Sequence, residues 1–405
     1  MTSTDWRLCG TKAEPRVINP ANGKIWEVYP YQVNDFNTDY WRYRGYKGGN
    51  IATQYGPEGP SLDDVHIDIT NRCNMACKHC YANCGPTSKE MMSIEDFKLL
   101  CKNAAACGAA RIAISGGEAI LHPQYWELPA IVKENGLVLT AIFSNGKEGV
   151  NAVSGSDFQR FKAPHWTQLI FSHNPSLGQD ISKVAVDLAM GEAIHNMVTV
   201  STITASGKDI WGIYERMKHI ATLRERYKDH GRFRWRVGAV RPIGRGERLD
   251  VDLIGIKTVY HKIFNDYMMN WKLWQKKFDL QIGFAFRSEF LTNEIDLYKD
   301  DDTCCRYKQN SVCVKWNGSV TPCTMDQTSY GHMSNLRDAW VAVNKGGFRA
   351  VQSKSIAECR DCRLRKYCNG GCRLCAKDGG CDPISKMTYE FFEEILPRVE
   401  KARLE

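Results

Sequence analysis

The chain reads as an α/β protein built on a parallel sheet, and three features of its 405 residues lead there. Six short apolar runs between residues 65 and 245 alternate with stretches of helical period, the signature of repeated βα units. Several of these runs end in Gly-rich or Asn-Gly turns, and parallel α/β folds bind their ligands at the carboxyl ends of the strands. Seventeen cysteines are grouped in short spacings, as metal ligands are.

Taken in order, the first sixty residues hold Trp6, Trp26, Tyr29, Tyr31, Tyr40, Trp41, Tyr43 and Tyr46 among Gly, Pro and Asn. They predict a small β-rich cap whose aromatics pack, and they lack the helical periodicity of a winged-helix module. Strands are expected near 65–70, 111–116, 137–144, 167–172, 197–204 and 233–240. Ser93-Ile-Glu-Asp96 resembles a capping box opening a helix, with Ile94, Phe97 and Cys101 on one face and Gly108 as its stop. Further helices are expected at 124–135, 181–195 and 207–229, then one long Trp- and Tyr-rich helix over 250–278 and a strand at 280–287.

Composition narrows the function. With 54 basic and 46 acidic residues the net charge is +8, and no Lys/Arg run is dense enough for a nucleic-acid arm. The excess reads as solvated surface; its functional alternative is attraction of an acidic peptide or a ligand carboxylate. No apolar run reaches membrane-spanning length and no charged-then-apolar leader is visible, so a cytoplasmic protein without membrane contact is expected. Disulfide scaffolds are short and secreted, so metal ligation is the better reading of the cysteines.

The most informative stretch is Cys73-Asn-Met-Ala-Cys77-Lys-His79-Cys80-Tyr81, directly after the first run. Three thiolates on one short loop suit an iron–sulfur cube, which needs four ligands and is thereby left with one open iron. Zinc sites and ferredoxins also use such spacings, so context decides. Downstream stand Gly116-Gly117-Glu118, Ser144-Asn145-Gly146 and Arg241-Pro-Ile-Gly244-Arg-Gly246, each ending an expected strand, with glycines that let backbone approach a ligand. A second cysteine field runs Cys305, Gly318-Ser-Val-Thr-Pro-Cys323, Cys359-x2-Cys362-x5-Cys368-x3-Cys372, then Cys375 and Cys381. CxxC alone would suit a zinc ribbon; the full order is far more specific.

On these motifs the chain resembles the radical S-adenosylmethionine (SAM) superfamily, and its second cysteine field resembles the SPASM extension. The resemblance implies a partial (β/α)6 TIM barrel with a C-terminal cysteine-rich SPASM domain. Expected segments are a cap at 1–62, the barrel at 63–248, a bridging helix and strand at 249–300, SPASM at 301–385 and a final helix at 386–405. Implied cofactors are SAM, a [4Fe-4S] cluster on Cys73, Cys77 and Cys80, and two auxiliary [4Fe-4S] clusters. The first auxiliary cluster takes Cys305, Cys323 and Cys372, with Cys304, Cys313 or an open position as the fourth ligand. The second takes Cys359, Cys362 and Cys368, with Cys381 or Cys375 completing it. For SAM the family pattern implicates Gly116, Gly117, Glu118 (on the ammonium), Ser144, Asn145 and Ser172, with His79 and Tyr81 walling the adenine. His173 is a weaker proton-transfer candidate.

Cluster-driven SAM cleavage would yield a 5'-deoxyadenosyl radical that abstracts hydrogen, with auxiliary clusters accepting an electron or binding substrate. The function this implies is oxidative modification or crosslinking of a ribosomally made peptide or protein. A small-molecule substrate is the alternative, and an Fe–S electron carrier or zinc scaffold without catalysis is a third class. Flavodoxin or ferredoxin is the expected electron donor. Cys9, Cys84, Cys101 and Cys107 fit no cluster spacing, and Cys101 and Cys107 are expected in the core.

Overall fold

The computed structural model describes residues 7–10, 15–18, 25–27, 62–147, 168–178, 198–225, 233–274, 278–283, 285–291, 311–347, 351–376 and 378–404. Near the start, β1 (Arg7–Gly10), β2 (Pro15–Ile18) and β3 (Ile25–Glu27) form an antiparallel sheet in that order. The aromatics from Tyr29 to Tyr46 and the expected 181–195 helix lie outside the described residues.

The main sheet has at its centre the six strands the apolar runs predict. They are β4 (Asp64–Asp68), β5 (Arg111–Ser115), β6 (Val138–Ser144), β7 (Gln168–Ser172), β8 (Val198–Thr204) and β9 (Phe233–Ala239). Each pairs in parallel with the next in sequence, as successive βα units require. These are the six units of an incomplete barrel. The sheet then continues past both ends. Beyond β9, β10 (Phe278–Ile282) pairs in parallel and turns back as the antiparallel β11 (Phe286–Arg287). On the far side, β12 (Ser311–Val314) lies parallel to β4 with Cys313 opposite His66, and β13 (Val320–Thr321) pairs antiparallel to it. Cysteine-rich segment and barrel thus share one ten-stranded sheet.

Helix α1 (Ile94–Ala106) starts as its sequence predicts: the Ser93 hydroxyl accepts from the Asp96 N–H at 3.0 Å. It buries Phe97, Leu100, Cys101 and Ala104, and Gly108 takes the left-handed conformation just beyond it. The expected 124–135 helix is a 3₁₀ turn at Tyr125–Glu127 followed by α2 (Leu128–Glu134). Helix α3 (Ile210–Glu225) precedes β9.

One expectation needs correction. The 250–278 stretch is not one helix: α4 (Leu253–Met269) stops at Asn270, a short α5 (Trp271–Trp274) follows, and Phe278 already belongs to β10. Asn270 leaves helical geometry (φ −122°, ψ 17°), and the apolar run continues past it because Trp274 and Phe278 are also buried. The expected 280–287 strand is likewise a hairpin, with Gly283 at φ +57° in its turn.

Trp235, Tyr214, Tyr260, Tyr267, Phe233 and Phe278 are fully buried in one continuous core spanning sheet and helices. Each such side chain contributes about 1.5–3 kcal/mol by leaving water. Helix α6 (Pro383–Leu404) closes the core against α4, with Phe391 edge-on to Tyr260 and Phe264.

Candidate active site and cluster loops

The four barrel motifs sit at the carboxyl ends of β4, β5, β6 and β9, starting with the loop that leaves β4. Its first residues are stitched to the turn after β5: Gly117 N–H donates to Thr70 O at 2.7 Å and Glu118 N–H to Arg72 O at 2.9 Å. Gly116 has φ +130°, and a Cβ on either Gly116 or Gly117 would collide with the carbonyl oxygen of Thr70 or Arg72. Glycine is therefore required at both positions.

Glu118 is buried, and its carboxylate accepts the Asn145 N–H at 2.6 Å, tying the β5 turn to the end of β6. Asn145 reaches the cysteine loop, its Nδ2 lying 2.7 Å from Asn74 Oδ1 and 3.5 Å from Cys73 Sγ. Ser144 accepts the Gly146 N–H at 3.0 Å, and Gly146 sits at φ +74°. Three motifs from three strands thus form one connected surface.

On this surface Cys73 and Cys77 are buried and Cys80 is half-buried. Burial, then repulsion from Cys73 and Cys80, pushes the Cys77 thiol up to about 12. Burial likewise raises Cys73. Cys80 moves the other way, to about 6, because the Cys84 thiol hydrogen-bonds to it. Cys84 is thus beside the cluster loop, its own thiol raised by that same contact. Among the described residues no three His, Cys, Asp or Glu side chains converge on a single-ion position. The donor set nevertheless fits an iron–sulfur cluster: of three crowded thiols, Cys80 ionises readily, and Cys73 and Cys77, which resist ionisation alone, would be deprotonated by bound iron. The glycine cradle next to them fits a small ligand brought close to backbone.

His79 meets β7 through Asn174, whose Nδ2 lies 3.2 Å from His79 Nε2, and burial with the nearby Arg245 cation depresses its pKa to about 4. Tyr81 is directed differently, toward Asp68, Cys313 and Thr324 between β4 and the SPASM hairpin. Ser172 closes β7, paired in register with Ser201 on β8. His173 is buried next to it, its N–H donating to Ser201 O at 2.9 Å.

In the second cysteine field, Cys323 follows β13 and is buried near Cys313. The glycine of the Gly318-x4-Cys323 element turns the β12–β13 hairpin at φ +80°, where a Cβ would strike His332. Cys359 contacts Cys381 and faces Cys362, while Cys381 also faces Cys368, so these four thiols form one group. Cys375 lies elsewhere, hydrogen-bonded to Cys372. Cys304 and Cys305 lie outside the described residues. In sequence Arg241 and Arg245 are only parts of a strand-ending motif, yet both contact cysteine loops. Only their four-residue spacing within a Gly-rich turn hinted at this.

Comparison with known proteins gives the class first. Residues 67–152 match the Radical SAM superfamily and residues 304–363 match the SPASM iron–sulfur cluster-binding domain. The chain thus carries a Radical SAM domain followed by a SPASM domain. It is 24% identical over 312 residues to the sporulation killing factor maturation protein SkfB of Bacillus subtilis, across 73% of this chain and 67% of SkfB. It is 33% identical over 89 residues to GTP 3',8-cyclase of Chlorobaculum tepidum, a match spanning 22% of this chain and 27% of the cyclase. Among solved structures, Streptococcus suis SuiB bound to precursor peptide SuiA superposes with TM-score 0.66 at 15% identity, covering 95% of this chain and 99% of SuiB. Native anSMEcpe with bound AdoMet and Cp18Cys peptide superposes with TM-score 0.63 at 16% identity, covering 85% and 99%.

Proposed function

We propose that this chain is a radical SAM enzyme that oxidatively modifies or crosslinks a ribosomally made peptide or protein. The observation that carries the reading is the SkfB alignment, which runs along 73% of the chain, far beyond the 22% shared with GTP 3',8-cyclase. The peptide-bound state of the superposable SuiB and anSMEcpe structures supports a peptide substrate.

In this reading Cys73, Cys77 and Cys80 hold a [4Fe-4S] cluster that, with SAM bound, supplies the 5'-deoxyadenosyl radical. Gly116 and Gly117 bring backbone to the SAM methionyl group, and Glu118 with Ser144 and Asn145 fixes that wall of the site. His79, held by Asn174, and Ser172 line the remaining side; Tyr81 supports the loop from behind. Cys359, Cys362, Cys368 and Cys381 hold one auxiliary cluster, and Cys305, Cys323 and Cys372 the other. We propose domain limits of 1–62, 63–248, 249–300, 301–385 and 386–405. Among the described residues no helix is long and apolar enough to cross a membrane. We place the protein in the cytoplasm, with flavodoxin or ferredoxin as electron donor.

The test is the mass of a candidate peptide encoded beside this gene after anaerobic coexpression, compared with a Cys73→Ala/Cys77→Ala/Cys80→Ala variant. A loss of about two mass units per event, with the active chain only, is expected of an oxidative crosslink. Unchanged peptide with SAM still cleaved would shift the reading to a small-molecule substrate, and failure to cleave SAM would remove the enzyme reading.

A further inference from the structure

The turn leaving β9 carries Arg241 and Arg245, and their side chains reach opposite cysteine fields. Arg245 is bound to the first loop at three points: Nε donates to Cys77 O at 2.7 Å, Nη2 to Cys84 O at 2.8 Å, and its backbone N–H to Cys80 O at 3.1 Å. Gly244, at φ +58°, lies against this loop, where a Cβ would collide with Tyr81 O. Arg241 Nη1 donates to Asp382 Oδ2 at 2.7 Å, the carboxylate fully buried and the arginine side chain 10% exposed. The same Asp382 carboxylate accepts the Cys372 N–H at 3.0 Å and the Ser385 hydroxyl at 2.5 Å. Arg241 also hydrogen-bonds the Cys375 thiol.

The turn between the two arginines is itself tight. Ile243 N–H donates to Arg241 O at 2.8 Å and Gly246 N–H to Ile243 O at 3.1 Å, while Val240 N–H donates to Thr204 O at 2.8 Å on β8. The turn is thereby anchored to the sheet.

We propose that residues 241–246 are a two-headed spacer that fixes the SAM-cluster loop and the Cys372 loop relative to one another, Arg245 gripping one and Arg241, through Asp382, the other. Both are positioning residues. A guanidinium suits this use because its rigid fork serves two carbonyls at once, which an ammonium on a flexible stem does not. The inference rests on the cluster assignments above, which wild-type spectra test separately.

The experiment uses the full chain reconstituted anaerobically, with iron content and EPR of the reduced protein measured with and without SAM. Wild type must first show a SAM-responsive signal and separate auxiliary signals; their absence would reject the cluster assignments themselves. Arg245→Gln is expected to weaken SAM binding, read from the EPR change, by at least about ten-fold while leaving auxiliary signals intact. Arg241→Gln is expected to alter an auxiliary signal with the SAM response retained. Each change should also alter the magnetic interaction between the reduced clusters, which a merely local packing role would not. Should Arg245→Gln lose every cluster, Arg245→Lys decides, since it keeps the charge and loses the fork: a weakened SAM response supports the spacer, and a wild-type response overturns it. Likewise Arg241→Lys decides if Arg241→Gln loses its clusters. Unaltered cluster interaction in both folded variants also overturns it.

Discussion

Lys315 Nζ stands 2.8 Å from Asp68 Oδ2, with the two side chains only 4% and 1% exposed. Asp68 ends β4 just ahead of the cysteine loop, and Lys315 follows β12, so the pair joins barrel to SPASM hairpin inside the protein. Ser115 donates to the other Asp68 oxygen at 2.6 Å, and Lys315 also donates to Thr324 O at 2.6 Å. Breaking a buried pair strands a charge, so Lys315→Met is expected to cost about 3–5 kcal/mol. Thermal unfolding should show a clear fall in midpoint, and Asp68→Asn combined with Lys315→Met should cost less than the two single changes added together.

The His66 ring touches Ser115 Oγ at 2.6 Å in the same network. Burial lowers its pKa below the ordinary 6.5, with Asp68 pulling the other way and Lys315 reinforcing the fall. Protonation therefore favours the unfolded chain: the contribution to stability is complete above the ordinary histidine value and shrinks as pH falls below it. Midpoints measured from pH 8 to pH 5.5 should decline more steeply in wild type than in His66→Asn. Parallel slopes would remove His66 from the acid response.

Gly116→Ala should damage the site with little effect on the distant helices. The added Cβ meets the Thr70 carbonyl, and φ +130° is strained for any other residue, at about 1–3 kcal/mol. Equilibrium SAM binding to the reconstituted protein should weaken by an order of magnitude or more, while far-UV circular dichroism stays at wild type.

Cys381 and Cys375 should separate cleanly by iron analysis. Cys381→Ser, in the group with Cys359 and Cys368, should disrupt one cluster and lose up to about four irons. Cys375→Ser should retain them, since its thiol pairs with Cys372. Equal losses would mean that the grouping of thiols seen here is not the grouping of ligands.

The sequence made the barrel legible because each strand is a local apolar run closed by a local turn signal: Ile112 and Ile114 before Gly116-Gly117, Ile142 before Ser144-Asn145-Gly146. The candidate thiol ligands were legible for the same reason, since cysteine spacing is local. What stayed hidden depends on distant partners. β12 on β4, Lys315 on Asp68 and Arg245 on Cys77 join residues far apart in the chain. The break at Asn270 was hidden differently, because buried aromatics on both sides of it keep the apolar pattern unbroken.

The pairing of β12 with β4 bears on how the molecule is made. β4 leaves the ribosome long before β12, and until Ser311–Val314 arrives its outer edge is an unpaired row of peptide groups with Asp68 lacking its lysine. A chain truncated before residue 311 would thus be more than a barrel missing an accessory module. It would expose a sticky strand edge beside the first cysteine loop, so the minimal soluble fragment extends through the β12–β13 hairpin.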